Sequence, residues 1–185
     1  MNVQELLEAV LDEGRNLLQA VPAGPMEQFI KGLDHADRIF CAAQGRSGYV
    51  LRCFCMRLMH LGYRAFFVGE TITPRIGKGD ILVVLSGSGQ TALTWELIKL
   101  GQKQGALTYG VIGVEDSPIG RTLDCKVCLQ GASKSAHSHP LSSIQPPGSL
   151  FEQGAFVMLE AIVLALYQRQ GSDGRILRER HTNLE

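Results

Sequence analysis

The stretch Asp80-Ile-Leu-Val-Val-Leu-Ser-Gly-Ser-Gly-Gln-Thr91 constrains the fold most, because it joins an unbroken apolar run to a polar turn of small residues. Ile81 to Leu85 shows no alternation, which fits a parallel strand covered on both faces rather than one with a wet side. The turn then leaves the carboxyl end of that strand and opens a helix. Gly87 and Gly89 allow a sharp bend and a close approach of backbone to ligand. Ser86, Ser88 and Thr91 place hydroxyls around the free N–H groups of the helix that follows. Such a point attracts an anion, and phosphate is the expected occupant. An ordinary strand-to-helix turn with a serine cap is the alternative reading of the same string.

The same logic occurs earlier in the chain. Ile39-Phe-Cys-Ala-Ala43 reads as a strand, Gln44-Gly-Arg-Ser-Gly48 as its glycine-rich loop, and a helix continues to Leu61. Gly45 and Ser47 thus stand at a second helix N-terminus, where Arg46 adds a cation or is simply a solvated loop residue. Further strands are expected over Arg64–Val68, Ala106–Ile112 and Cys125–Leu129, with a helix over Thr91–Gln104 and a helical turn over Ser117–Leu123. Alternation of this kind argues for an α/β fold, a three-layer, doubly wound, five-stranded parallel sheet. Its ligand belongs at the carboxyl ends of the strands, where the two loops meet. Val3 to about Val21 carries the apolar stripe of an amphipathic helix, and a second helix is expected from Pro25 to about Ala36. These two N-terminal helices precede the first strand, and such a pair often packs against a neighbouring subunit.

The 185 residues suit one domain, 1–185, with a core large enough to need no staples. Lys plus Arg and Asp plus Glu are 18 each, so neither nucleic acid nor an anionic membrane is an expected partner, and a small molecule is. The acidic amphipathic start and the expected absence of any segment of membrane-span length point to a cytoplasmic protein. Five cysteines without a secretion signal should be reduced thiols that fill the core. Cys53 and Cys55 would point to different faces of a helix, and Cys125 and Cys128 to opposite faces of a strand, so no metal site is expected.

The remaining polar residues have plain readings. His137 and His139 fall in a long loop, Gln130–Pro147, and read as a solvated pair. Ser149 reads as the N-cap of a strongly apolar helix to about Tyr167, with Glu152 completing a capping box. His60, at a helix C-terminus, reads as a surface residue complementing the dipole. Gly171 to Glu185 would be a frayed tail.

Taken together, Gly45-Arg-Ser-Gly48 and Ser86-Gly-Ser-Gly-Gln-Thr91 resemble the two phosphate loops of the sugar isomerase (SIS) domain family. Ile144-Gln-Pro-Pro-Gly-Ser-Leu-Phe-Glu-Gln153 and Arg180-His-Thr-Asn-Leu-Glu185 resemble the signatures of its 6-phospho-3-hexuloisomerase branch. The likeness spans nearly the whole chain. It departs at Gln90, where the family usually has Glu, and at Gln44, Pro147 and Thr182.

The resemblance implies a flavodoxin-like sheet, a homotetramer, a sugar-phosphate ligand and no cofactor or metal. It implies conversion of D-arabino-hex-3-ulose 6-phosphate to fructose 6-phosphate, a step of formaldehyde assimilation by the ribulose monophosphate pathway. Gly45, Arg46, Ser47, Ser86, Gly87, Ser88, Gly89 and Thr91 would hold the phosphate. Glu152 would be the carbon base, and His181, with His60 as its rival, would shuttle protons between sugar oxygens. Another sugar-phosphate isomerase acting on a pentose or heptose, or a sugar-phosphate-binding regulatory module, are the alternatives. A regulator would need a basic surface or an attached DNA-binding domain, which this neutral chain does not offer.

Overall fold

Short apolar runs bounded by turn residues become strands. In the computed structural model, which describes residues 1–130, 143–171 and 173–184, they pair into one parallel sheet. Its members are β1 (Ile39–Ala43), β2 (Ala65–Phe67), β3 (Ile81–Ser86), β4 (Leu107–Ile112) and β5 (Cys125–Cys128), in the order β2-β1-β3-β4-β5. That is the flavodoxin-like order, in which the direction of winding reverses between β1 and β3. In register, Cys41 pairs with Val83 and Val83 with Tyr109. Every residue of β1 and β3 is buried, as their unalternating sequences predict.

Burial on both faces requires helices on both faces. On one side lie α1 (Val3–Gln19), α2 (Ala23–His35), α3 (Gly45–His60) and α6 (Ser149–Arg169); on the other lie α4 (Ala92–Lys103) and α5 (Pro118–Thr122). Side chains of successive strand residues divide accordingly. Cys41, Val83 and Val111 enter the first core, whereas Phe40, Leu82, Val84 and Ile112 enter the second. Cys125 and Cys128 likewise fall on opposite faces. The expectation that all five cysteines fill the core fails at Cys53, which is exposed on the outer side of α3.

An ion pair joins the starts of the two central strands. Arg38 donates through Nε and Nη2 to the Asp80 carboxylate at 2.9 and 2.7 Å, and Asp80 is only 1% exposed. The Gly77 N–H adds a third bond to Asp80 at 2.7 Å. A carboxylate so enclosed is tolerable because every contact to it is a charge-assisted donor.

Three elements depart from the sequence expectation. α2 begins at Ala23, so Pro25 stands third in the helix, still within the turn whose N–H groups lack intrahelical partners. α6 has 21 residues and is long and apolar enough, by length and composition, to cross a membrane, although no such segment was expected. Half of that stretch is buried, packed on α1, α2 and α3 as a core helix. A Cβ on Gly154 would lie 2.6 Å from Leu17 Cδ2, so the missing side chain is what lets α1 lie close against α6. The third departure is the C-terminal segment, which forms α7 (Gly174–Arg180), capped by Asp173, instead of a frayed tail.

Candidate functional site

Because winding reverses between β1 and β3, the loops that follow them diverge and leave a crevice at the carboxyl edge of the sheet. α3 starts directly after β1, so Gly45, Arg46 and Ser47 form its first turn and not a preceding loop. Its N-cap, Gln44, makes no side-chain bond to the turn. After β3, residues 87–90 bend into α4, whose N-cap Thr91 also makes no such bond. A third helix, α6, begins beside them after Gly148, which sits at φ 91° in the left-handed region that glycine enters cheaply. Gln44, Thr91 and Gly148 all line one cleft of about 150 Å³. Three helix N-termini without side-chain caps therefore open on one space; Asn2, Ser117 and Asp173 cap α1, α5 and α7, and α2, also uncapped after Pro22, begins away from this cleft. Free N–H groups and helix dipoles converging on one space favour an anion there.

Hydroxyls complete the cradle. Ser86 Oγ accepts the Gly89 N–H at 3.2 Å and lies 3.2 Å from Thr91 Oγ1, while Ser88 Oγ accepts the Gln90 N–H at 3.2 Å. Ser47, Ser86, Ser88 and Thr91 all face the cleft, as do Gly45, Arg46 and Gly87. Gly89 does not; it lies behind the turn at φ 63°, where a Cβ would fall 2.0 Å from Ser117 Oγ. Its part is to shape the turn. Gln90, in the position of the family's usual Glu, is exposed.

Glu152 comes into this cleft from the first turn of α6, next to Phe151. The capping box expected of Ser149 and Glu152 is absent: the helix begins one residue earlier than that pattern requires, Ser149 is its first residue, and no side-chain cap bond forms. The Glu152 carboxylate turns instead to Arg46, whose Nε donates to Oε2. The pair is lopsided, with the Glu152 side chain 6% exposed and that of Arg46 69%. An enclosed carboxylate thus stands beside an anion cradle, partnered by a guanidinium with a free outer side. Gly148 is the contributor that sequence reasoning missed; its signal was the Pro146-Pro147-Gly148 string, a turn pattern directly ahead of the apolar helix. A larger groove of about 560 Å³ shares Arg46 and Glu152, but its walls are Val10, Leu11 and Leu18 of α1 with Phe156 and Val157 of α6. Those walls suit an apolar partner, so the smaller cleft is the one matched to a charged small molecule.

The two candidate histidines lie elsewhere. α3 has 16 residues, and His60 is its last. At 1.5 Å of rise per residue it stands about 22 Å along the axis from the cleft. It is not the surface residue expected, being 3% exposed, with its ring stacked on His181 at 5.0 Å between centroids. Burial pushes the His60 imidazole below its ordinary value, and the charges of His181 and Arg57 push the same way. α7 creates this enclosure by docking on the end of α3: Leu177 packs on the core, and Arg180 Nη1 reaches the His60 carbonyl at 3.4 Å. Within the chain, therefore, Glu152 meets the cradle, and His60 and His181 stack on each other away from it. His137 and His139 lie outside the described residues.

Comparison with known proteins follows the same lines. Residues 32–156 match the SIS domain. The chain belongs to the SIS domain family. The match to a 3-hexulose-6-phosphate isomerase of Bacillus subtilis is 33% identical and covers 100% of both chains. One of the same name from Mycobacterium gastri is 36% identical over 97% of this chain and 89% of that one. A crystal structure of a Methanococcus jannaschii protein, for which a 3-hexulose-6-phosphate isomerase function was inferred, superposes with a TM-score of 0.84 at 30% identity, covering 98% and 99% of the two chains. The SIS fold thus accounts for the sheet order, the reversal point and the cleft together.

Proposed function

We propose that this chain is a sugar-phosphate isomerase that converts D-arabino-hex-3-ulose 6-phosphate to D-fructose 6-phosphate. The observation that carries the reading is the enclosed Glu152 carboxylate in the same cleft as three uncapped helix N-termini, in a chain whose full-length relatives bear that activity in their names. The cradle seats the phosphate through backbone N–H groups and the hydroxyls of Ser47, Ser86, Ser88 and Thr91, with Arg46 within reach. The sugar then extends toward Glu152.

Moving the carbonyl from C3 to C2 is proton chemistry. Glu152 takes the proton from C2, and the C2–H electron pair forms the C2–C3 double bond of a cis-enediolate as charge moves onto O3. O3 gains a proton, O2 gives one up, and the proton held by Glu152 returns to C3. No electrons leave the substrate, so the residues need no redox partner for this step. An imidazole suits the exchange between O2 and O3 because it titrates near neutrality. Neither His60 nor His181 reaches the cleft of its own subunit, so His181, the exposed member of the pair, serves in this reading the cleft of a neighbour.

A homotetramer supplies that neighbour. Its support is the exposed apolar surface on α1 and α6, where Leu6, Leu7, Leu11, Phe156, Val157 and Leu164 face outward. The reading places the reaction in formaldehyde assimilation through the ribulose monophosphate route, in the cytoplasm. The test is an assay in which added hexulose phosphate synthase makes the substrate from formaldehyde and ribulose 5-phosphate, and fructose 6-phosphate is measured. Pentose and heptose phosphates run in parallel; turnover of one of them, with none of the hexulose phosphate, would overturn the substrate assignment.

A further inference from the structure

Glu13 has no place in the chemistry above, yet its carboxylate is engaged by three consecutive residues on the approach to α6. Oε2 accepts from the Ser143 hydroxyl at 2.7 Å and from Gln145 Nε2 at 2.8 Å, and Oε1 accepts the Ile144 N–H at 2.8 Å. Ser143 Oγ in turn accepts the Gln145 N–H at 3.0 Å. Partial burial pulls the Glu13 carboxyl upward, and the bonds from Ser143, Gln145 and Ile144 together outweigh it and hold it below its ordinary value. This is a joint between α1 and a segment more than a hundred residues later.

We propose that Glu13 is a positioning residue, which anchors residues 143–145 and through them fixes Gly148 and the Glu152 carboxylate in the cleft. The inference rests on the catalytic reading of Glu152. The link between anchor and site has little slack. Pro146 and Pro147 each have φ held by the ring, so motion at Gln145 is passed on to Gly148 rather than absorbed. From there two bonds lead into the helix: the Ser149 N–H to the Pro146 carbonyl and the Glu152 N–H to the Gly148 carbonyl, both 3.0 Å. Gly148 itself lines the cleft, and its left-handed backbone sets the direction in which α6 departs. Among the described residues, no hydrogen bond joins residues 143–145 to Ser47, Ser86, Ser88 or Thr91. Loosening the anchor should therefore misplace the base and the α6 N-terminus while leaving the N-termini of α3 and α4 and the four hydroxyls in place.

Glu13→Gln keeps the size of the side chain but turns an amide nitrogen toward donors. A displacement of about 1 Å at a reacting group costs on the order of a hundredfold, so kcat should fall about tenfold or more in this variant. Inhibition by inorganic phosphate, which reads the cradle, should weaken much less than kcat falls, because the α3 and α4 N-termini and the hydroxyls stay in place, and the melting temperature should drop by only a few degrees. The reversed pair, Glu13→Gln with Gln145→Glu, restores complementarity. Its amide can donate to the new carboxylate while the amide oxygen still accepts the Ile144 N–H. It should recover most of the lost turnover.

Hydrogen exchange across residues 143–152 reads the same constraint without substrate, faster in the single variant and restored in the reversed pair. Parental kcat and exchange in Glu13→Gln would overturn the proposal. So would a loss of kcat that merely follows a loss of melting temperature, or a reversed pair that recovers neither readout. An inactive parent chain would count against the isomerase reading alone, since the exchange comparison still decides whether Glu13 anchors the segment.

Discussion

Replacing Glu152 by Gln separates chemistry from folding more cleanly than any other change in the cleft. The stability terms are small and partly opposed. A carboxylate in the first turn of a helix gains about 0.3–1 kcal/mol from the dipole. The bond to Arg46 is worth about 0–1 kcal/mol, since Arg46 is 69% exposed and screened by water. Against both stands the cost of enclosing a charge on a side chain only 6% exposed, which the amide relieves. The net lies within about 2 kcal/mol of zero, a few degrees in melting temperature at about 2–4 °C per kcal/mol for a domain of this size.

An amide cannot carry a proton from C2 to C3, however. Loss of a positioned acid–base group costs about a hundred- to ten-thousandfold, or about 2.7–5.5 kcal/mol of barrier. The coupled fructose 6-phosphate assay and a thermal melt on the same sample would show a near-normal transition with turnover down by at least two orders of magnitude. Near-parental turnover in a folded Glu152→Gln chain would mean that the base is another residue.

Three further outcomes are expected. Ser88→Ala removes a hydroxyl from a charge-assisted contact worth about 1.5–3 kcal/mol and should raise KM roughly tenfold or more, while unchanged KM in the Ala variants of Ser47, Ser86, Ser88 and Thr91 would refute the cradle. A chain ending near Gly171 should fold and lose most activity, and co-refolding it with the Glu152→Gln chain should restore part of it; verified mixed oligomers that stay inactive would show that α7 does not serve a neighbour. His60 is harder to protonate folded than unfolded, so the unfolded chain takes up the proton first as pH drops through 6.5, and this contribution to stability is full above that pH and declines below it. His60→Gln should flatten the fall in melting temperature on acidification, and an unaltered slope would refute the enclosure of its ring.

The parts legible in the sequence were those whose cause is local. Ile81 to Leu85 needs no partner to declare a doubly covered strand, and the small residues of 86–91 announce a bend and a helix start on composition alone. What escaped depended on distant neighbours. Ser149 and Glu152 have the spacing of a capping box, but Arg46, 106 residues away, competes for the carboxylate. His60 at a helix end looks like a surface residue until α7 is laid over it, and α7 was hidden because Leu177 supplies packing without a full apolar stripe. The uniform hydrophobicity of α6 gave no hint of which side faces α1, since its contacts are chosen by shape at Gly154 and Leu17.

A grip made by main-chain amides, as proposed for this cleft, does not itself titrate, whatever the carboxyl beside it does. Amide dipoles keep their orientation at any physiological acidity, and serine and threonine hydroxyls stay neutral. The variable partner is then the ligand, because a phosphate monoester dianion takes up a proton at about pH 6. Acidification would weaken attraction by lowering the charge on the sugar phosphate, with the cradle unchanged. The same construction would leave affinity tolerant of exchange at an exposed position of the turn such as Gln90, whose own N–H is spent on Ser88 Oγ while the grip lies in the helix N-termini around it.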